Sequence, residues 1–250
     1  MTANAKITAD LLVTCVVDQM YPDVGVSVVR VLRRLGVTVG FPKDQTCCGQ
    51  PVYNTGYSQQ ARILAKRVLE QFKDSEYVVV PSGSCAATVR VFYLEIFEDD
   101  PELLAEAKAL AAKTYEFSEF LVNVLKMEDA AEWGASHEGT VTYHPSCHLL
   151  RELGVKSEPQ KLLQSVPGLE QKELEGAEIC CGFGGTFSVK FPHISEGMVT
   201  DKVANVQASG ADTLVSCDMS CLMNIGGSLN RQGSEIKVRH LAQILDPESE

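Results

Sequence analysis

The chain has 250 residues, enough for one large domain or two small ones, with a core that needs no disulfides to hold it. Lys and Arg number 22 against 33 Asp and Glu, a formal net charge of −11 that makes nucleic acid a poor partner. Hydrophobic residues at 45% and charged residues at 22% exclude a disordered or fibrous chain.

From Met1 to Lys6 the chain lacks the flanks of a signal peptide, and the first apolar run, Leu11 to Val17, is too short to span a bilayer. A cytoplasmic, reducing location is therefore expected. Val24, Val28, Val31, Leu32 and Leu35 recur at helical spacing, and the β-rich run Val37-Thr38-Val39 follows. Ala61, Leu64, Ala65, Val68, Leu69 and Phe72 predict a second amphipathic helix, and Tyr77-Val78-Val79-Val80 has the continuous apolar character of a buried parallel strand. The acidic stretch Glu98-Asp99-Asp100-Pro101 leads into two helices, about Glu102 to Lys113 and Phe117 to Lys126, and the connection ends near Glu132 to Gly139. Beyond it, Thr140-Val141-Thr142-Tyr143 and Thr213-Leu214-Val215 predict strands. Leu162, Leu163 and Val166, then Val199, Val203 and Val206, mark helical faces. The expected fold class is α/β: two tandem, pseudo-symmetric Rossmann-like units with parallel strands, residues 1–97 and 140–250, joined by a helical linker over 98–139.

Nine cysteines carry the repeat. Cys15, Cys47, Cys48 and Cys85 follow the pattern Cys-x31-Cys-Cys-x36-Cys, and Cys147, Cys180, Cys181 and Cys221 follow Cys-x32-Cys-Cys-x39-Cys, with each pair followed by glycine. Cys217 is left over. Two adjacent pairs at matched offsets argue for duplication. Cys15, Cys85, Cys147 and Cys221 fall just beyond predicted strands, the edge at which open α/β sheets hold ligands, and the Cys-Cys-Gly corners lie in loops before helices. Four sulfurs per half can converge there.

Four thiolates suit tetrahedral zinc or an iron–sulfur cluster. Structural zinc favours paired Cys-x2-4-Cys knuckles, which neither half supplies, and adjacent cysteines must splay to reach a single ion. A cluster offers each sulfur its own iron, so the spacing favours iron. The competing readings are buried small side chains and a cluster-free thiol–disulfide redox or binding module, since adjacent thiols can oxidise.

The two cysteine patterns, with Thr46-Cys47-Cys48-Gly49-Gln50-Pro51, Tyr143-His144-Pro145-Ser146-Cys147 and the run Cys180-Cys181-Gly182-Phe183-Gly184-Gly185, resemble the duplicated cysteine-rich CCG domain. That family includes the cysteine-rich polypeptide of heterodisulfide reductases, the iron–sulfur polypeptide of glycolate oxidases and the lactate-utilisation proteins, and the likeness covers nearly the whole chain. The resemblance to the lactate-utilisation branch implies an oxidoreductase subunit that binds no NAD itself and belongs to a cytosolic complex oxidising L-lactate to pyruvate. It implies two partner polypeptides, one ferredoxin-like, and one or two clusters of the 4Fe-4S kind. Another 2-hydroxy acid such as glycolate is the alternative substrate. The expected ligands are Cys15, Cys47, Cys48 and Cys85 for one cluster and Cys147, Cys180, Cys181 and Cys221 for the other.

The fullest family pattern ends each unit in Cys-x-x-Cys, but the first of those positions is Ser82 in one half and Asp218 in the other. A four-thiolate site per half is the simpler expectation. Cys217 aligns with Pro81 and is expected to pack at a strand end. His144 and His148 flank Cys147 and can orient a ligand, carry a proton or satisfy a loop carbonyl, the last being the commonest fate. The glycines at 182–185 lack a nucleotide-loop register. Arg151 and Lys190 are expected on the surface, and Trp133 in packing.

Overall fold

The computed structural model describes residues 7–249, so the Met1 to Lys6 stretch lies outside the described residues. The first unit runs β1 (Thr8–Leu11), α1 (Cys15–Met20), α2 (Pro22–Arg34), β2 (Thr38–Gly40), α3 (Gln50–Tyr53), α4 (Ser58–Phe72), β3 (Tyr77–Val80), α5 (Gly83–Ala87), α6 (Tyr93–Ile96), α7 (Pro101–Lys113), β4 (Thr114–Glu116) and α8 (Phe117–Glu119). The second runs β5 (Gly139–His144), α9 (Ser157–Gln164), β6 (Leu169–Lys172), α10 (Thr186–Lys190), α11 (Pro192–Ala208), β7 (Thr213–Ser216), α12 (Met219–Arg231), β8 (Lys237–His240) and α13 (Leu241–Leu245). No described helix is long and apolar enough to cross a membrane.

Both sheets have four strands, in the orders β2-β1-β3-β4 and β6-β5-β7-β8, and all pairs are parallel. The registers repeat: Leu11 lies opposite Val79 as Tyr143 lies opposite Val215, and Val79 opposite Tyr115 as Val215 opposite Arg239. Val78, Val79 and Val80 are fully buried, as a central parallel strand covered on both faces requires. Each such side chain contributes about 1.5–3 kcal/mol of burial. In both sheets the chain steps outward from the first strand to the second, then crosses back to the third. That crossover makes a switch point at the carboxyl ends, where the cysteines sit.

The segment 98–139, expected as a helical linker, supplies the fourth strand of the first sheet as well as helices. Glu116 at the end of β4 and His240 at the end of β8 occupy equivalent places, both buried and both capping the next helix in a capping box. The chain enters α7 through Asp100, whose carboxylate accepts from the Leu103 amide at 3.2 Å, with Pro101 opening the helix. One continuous apolar cluster joins the units, running from Val28 and Val79 through Phe117 and Phe120 to Leu149, Leu214 and Leu245. Trp133 is a packing anchor in it, its indole N–H donating to the Leu245 carbonyl at 3.0 Å.

Candidate metal centre

Each quartet is assembled by the same local devices. β1 ends and Thr14, at φ 73, turns the chain so that Cys15 opens α1; the equivalent Ser146, at φ 22, does so before Cys147. The π-helical turn His148–Glu152 begins directly after Cys147. The Cys-Cys-Gly corners require glycine at their third place: Gly49 has φ 92 and Gly182 φ 82, and a Cβ on Gly182 would stand 2.8 Å from the Met198 Cβ. With that geometry the Gly49 amide points at the Cys47 sulfur and the Gly182 amide at the Cys180 sulfur, each at 3.4 Å. Cys85 lies in α5, capped by the Ser82 hydroxyl, and Cys221 in α12, capped by Asp218.

The sulfurs meet in the same sequence in both units. Cys15 contacts Cys47, Cys47 contacts Cys48, and the Cys48 and Cys85 sulfurs lie 3.4 Å apart. Cys147 contacts Cys180, Cys180 contacts Cys181, and the Cys181 and Cys221 sulfurs lie 3.1 Å apart. Cys47 is driven toward thiolate by hydrogen bonds from Cys15 and Cys48, and Cys180 by those from Cys147 and Cys181; the glycine amides add to both. The donors Cys15 and Cys147 are raised by the same bonds. A bound metal would favour the thiolate form of every sulfur that it takes as a ligand.

All eight cysteines line a single cavity of about 360 Å³, so the two quartets face each other across it. Gln50 and His148 meet in its wall, Nε2 to Nε2 at 3.3 Å, and the Gln50 amide also reaches the Ser84 carbonyl. Phe183, Gly184 and Gly185 line it too, so the glycine run wraps the cavity. Cys217 is apart from that lining: it is fully buried in the core, its sulfur 3.6 Å from the Tyr143 hydroxyl. Arg151 donates to the Glu178 carbonyl at 3.0 Å and Lys190 lies over the Tyr57 ring, so both are occupied outside the quartets.

His144 departs from the commonest fate of a strand-end histidine. It is 1% exposed, one ring nitrogen lies within 4.8 Å of the Cys181 and Cys221 sulfurs, and the Ala177 carbonyl faces the ring without meeting hydrogen-bond geometry. Burial lowers its basicity. Lys202, on α11, is also buried behind this quartet and was hidden in the sequence between the helical apolar positions Val199, Val203 and Val206. The lysine breaks an otherwise apolar stripe, and that interruption was the available signal.

A sulfur-only donor set, gathered as two quartets with glycine amides aimed at sulfur, can bind a soft metal ion or a metal–sulfur cluster. Similarity to known proteins agrees with this chemistry. The CCG cysteine-rich domain matches residues 9–90 and again residues 141–226. Lactate utilization protein A of Geobacillus kaustophilus (strain HTA426) is 52% identical over 236 residues, covering 94% of this chain and 97% of that protein. The protein of the same name from Bacillus subtilis (strain 168) is 52% identical over 236 residues, with 94% and 98% covered. Among solved structures, a hypothetical protein from Helicobacter pylori shares the fold with a TM-score of 0.67 at 11% identity, over 99% of this chain and 50% of that one. The chain therefore belongs to the CCG cysteine-rich domain family, of which it carries two copies, in the branch of lactate utilization protein A.

Proposed function

We propose that this chain is the iron–sulfur electron-transfer subunit of a cytoplasmic complex that oxidises L-lactate to pyruvate. The observation that carries the reading is the pair of equivalent sulfur quartets opening into one cavity, in a chain half identical to proteins named for lactate utilisation. The residues fit an iron–sulfur cluster. Each unit gathers four sulfurs from three separate segments and points a glycine amide at one of them, a soft sulfur-only donor set of the kind such clusters take. Cys15, Cys47, Cys48 and Cys85 would hold one cluster, and Cys147, Cys180, Cys181 and Cys221 the other.

When bound, such clusters supply one-electron transfer at sulfur-ligated iron. Oxidation of a 2-hydroxy acid to a keto acid releases two electrons and two protons, which suits a relay of two one-electron sites beside a separate substrate-oxidising partner. Two further polypeptides, one ferredoxin-like, complete the complex. The chain's own contribution is to hold both sites rigidly. The Gln50 and His148 contact and the Asp218 carboxylate tie the two walls of the cavity together.

The short sulfur contacts favour one second reading, a thiol–disulfide module without iron, because Cys181 and Cys221 are close enough to be oxidised to a pair. Growth separates substrate classes. A strain lacking this gene is expected to fail on L-lactate as sole carbon source, to grow on D-lactate and glycolate, and to stay deficient when complemented with a Cys48→Ser, Cys181→Ser double variant. Normal growth of the deletion strain on L-lactate would overturn the assignment.

A further inference from the structure

The two quartets have matching frames but unlike rear walls. In the first unit, Leu12 beyond β1 and Val68 on α4 are buried in one apolar cluster with Val80 and Ala86. In the second unit the corresponding residues are His144 and Lys202. Leu12 stands three places before Cys15 as His144 stands three before Cys147. The buried face of α4 is Ala61, Ala65, Val68, Leu69 and Phe72; that of α11 is Ser195, Val199, Lys202, Val203 and Val206, at identical spacing. The corner glycines confirm the alignment, Gly49 resting against Ala61 and Leu64 and Gly182 against Ser195 and Met198.

Lys202 is 1% exposed, and its ammonium donates to the Gly176 and Ala177 carbonyls at 2.6 and 3.1 Å. Those carbonyls carry no net charge. Burial lowers the basicity of Lys202, and Cys181, Cys221 and Cys180 act the other way, favouring the charged form. A fully buried lysine is rare unless an anion balances it, and the quartet is the anion in place. His144 adds an imidazole whose nitrogens make no hydrogen bond of full geometry, with the Ala177 carbonyl facing the ring and one nitrogen near two of the same sulfurs. Such a ring can turn an N–H toward a metal-bound sulfur.

We propose that His144 and Lys202 make the second quartet the more easily reduced of the two sites, outweighing the buried Asp218 carboxylate that lines the cavity where the first unit has Ser82. The inference rests on the reading of the quartets as iron–sulfur sites. A buried cation and an N–H donor beside sulfur stabilise the added electron, whereas Leu12 and Val68 offer the first site no such charge or donor. The duplicated scaffold thereby gives its two sites an order in potential.

The test is an anaerobic redox titration of the full chain, followed by electron paramagnetic resonance, with iron measured on every sample. Wild type is expected to show two midpoints, the higher of which disappears in Cys181→Ser. Lys202→Met and His144→Leu should each lower that midpoint and leave the other in place. For Lys202→Met the ratio of oxidised to reduced sites at a fixed poise should change about tenfold, or ~59 mV for a one-electron couple. Leu12→His should raise the lower midpoint, and this variant tests the inference independently should a second-unit variant lose its iron. Unchanged midpoints in variants that retain iron would overturn the inference while leaving the iron–sulfur reading intact. Wild type without iron would overturn that reading, and the inference with it.

Discussion

Ser82 and Asp218, equivalent residues of the two units, meet where the units join: they form an isolated antiparallel bridge, and the Asp218 carboxylate accepts from the Ser82 hydroxyl at 3.2 Å and from the Ser84 amide at 2.8 Å. Its other oxygen accepts from the Ser220 amide at 3.0 Å. One buried carboxylate thus starts the helix that carries Cys221 and holds the turn that carries Cys85. These are the places where the fullest family pattern has a fifth cysteine. Here the pair serves as a tie between units.

Asp218→Ala is therefore expected to destabilise both sites together. It strands two amide donors, at about 1–3 kcal/mol each, whereas Asp218→Asn keeps one acceptor and should cost less. Denaturant unfolding under anaerobic conditions gives the stability, and iron content gives the sites. Loss confined to the second quartet would show that the cross-unit contact carries little.

A close approach between the units places Gly83 against Leu149, where an added Cβ would fall 2.6 Å from the Leu149 Cβ. Gly83→Ala must push the units apart, and it is expected to cost on the order of 1–3 kcal/mol, as overpacking does. Gly36→Ala is the control: its added Cβ would meet nothing within 4 Å, but its φ is +82, so only local backbone strain is expected there. Equal iron retention at the two positions would contradict the close docking of the units.

The titration of Glu116 sets a pH dependence in the metal-free protein. Burial pushes its carboxyl from the ordinary 4.5 up to about 8, although the Ser118 and Glu119 amides pull the other way. Between these values the native state keeps a proton that the unfolded chain releases, so this contribution to stability is full below about 4.5 and is lost as pH rises through about 8. Glu116→Gln should remove that loss. The stability difference between variant and wild type should grow across this window by on the order of a few kcal/mol. The equivalent His240 is lowered by burial to about 4, so its contribution is lost in the opposite direction, as pH falls from 6.5. A pH-independent difference for Glu116→Gln would show that its carboxyl is not held neutral.

Cys217 and Cys181 are both buried yet face different surroundings. Cys217→Ser places a hydroxyl beside the Tyr143 hydroxyl, away from the cavity, and is expected to leave both sites intact. Cys181→Ser should remove the second site alone. Visible absorption of anaerobic preparations checks both, and loss of signal in Cys217→Ser would reassign the ligands.

The duplication and the quartets could be read from the chain because cysteine and glycine are scarce and their spacing survives without any knowledge of packing. The central strands were equally clear, since Val78 to Val80 are apolar on both faces. Among the edge strands, Val37-Thr38-Val39 marked β2, but the others were not marked. β4 is three residues, Thr114-Tyr115-Glu116, between two helices, and β6, Leu169-Glu170-Gln171-Lys172, has the polar character that protects a sheet edge. The role of Asp218 was hidden because its partners Ser82 and Ser84 lie in the other unit, more than 130 residues away in sequence. Lys202 was hidden because burial of a single charge on a helix depends on what lies across from it.

Iron and acid-labile sulfide per chain, measured after purification under strict exclusion of oxygen, test the two-site arrangement most directly. Two four-iron sites require about eight of each per chain, falling to about four in Cys181→Ser. A colourless preparation with zinc, or with free titratable thiols and no iron, would contradict it.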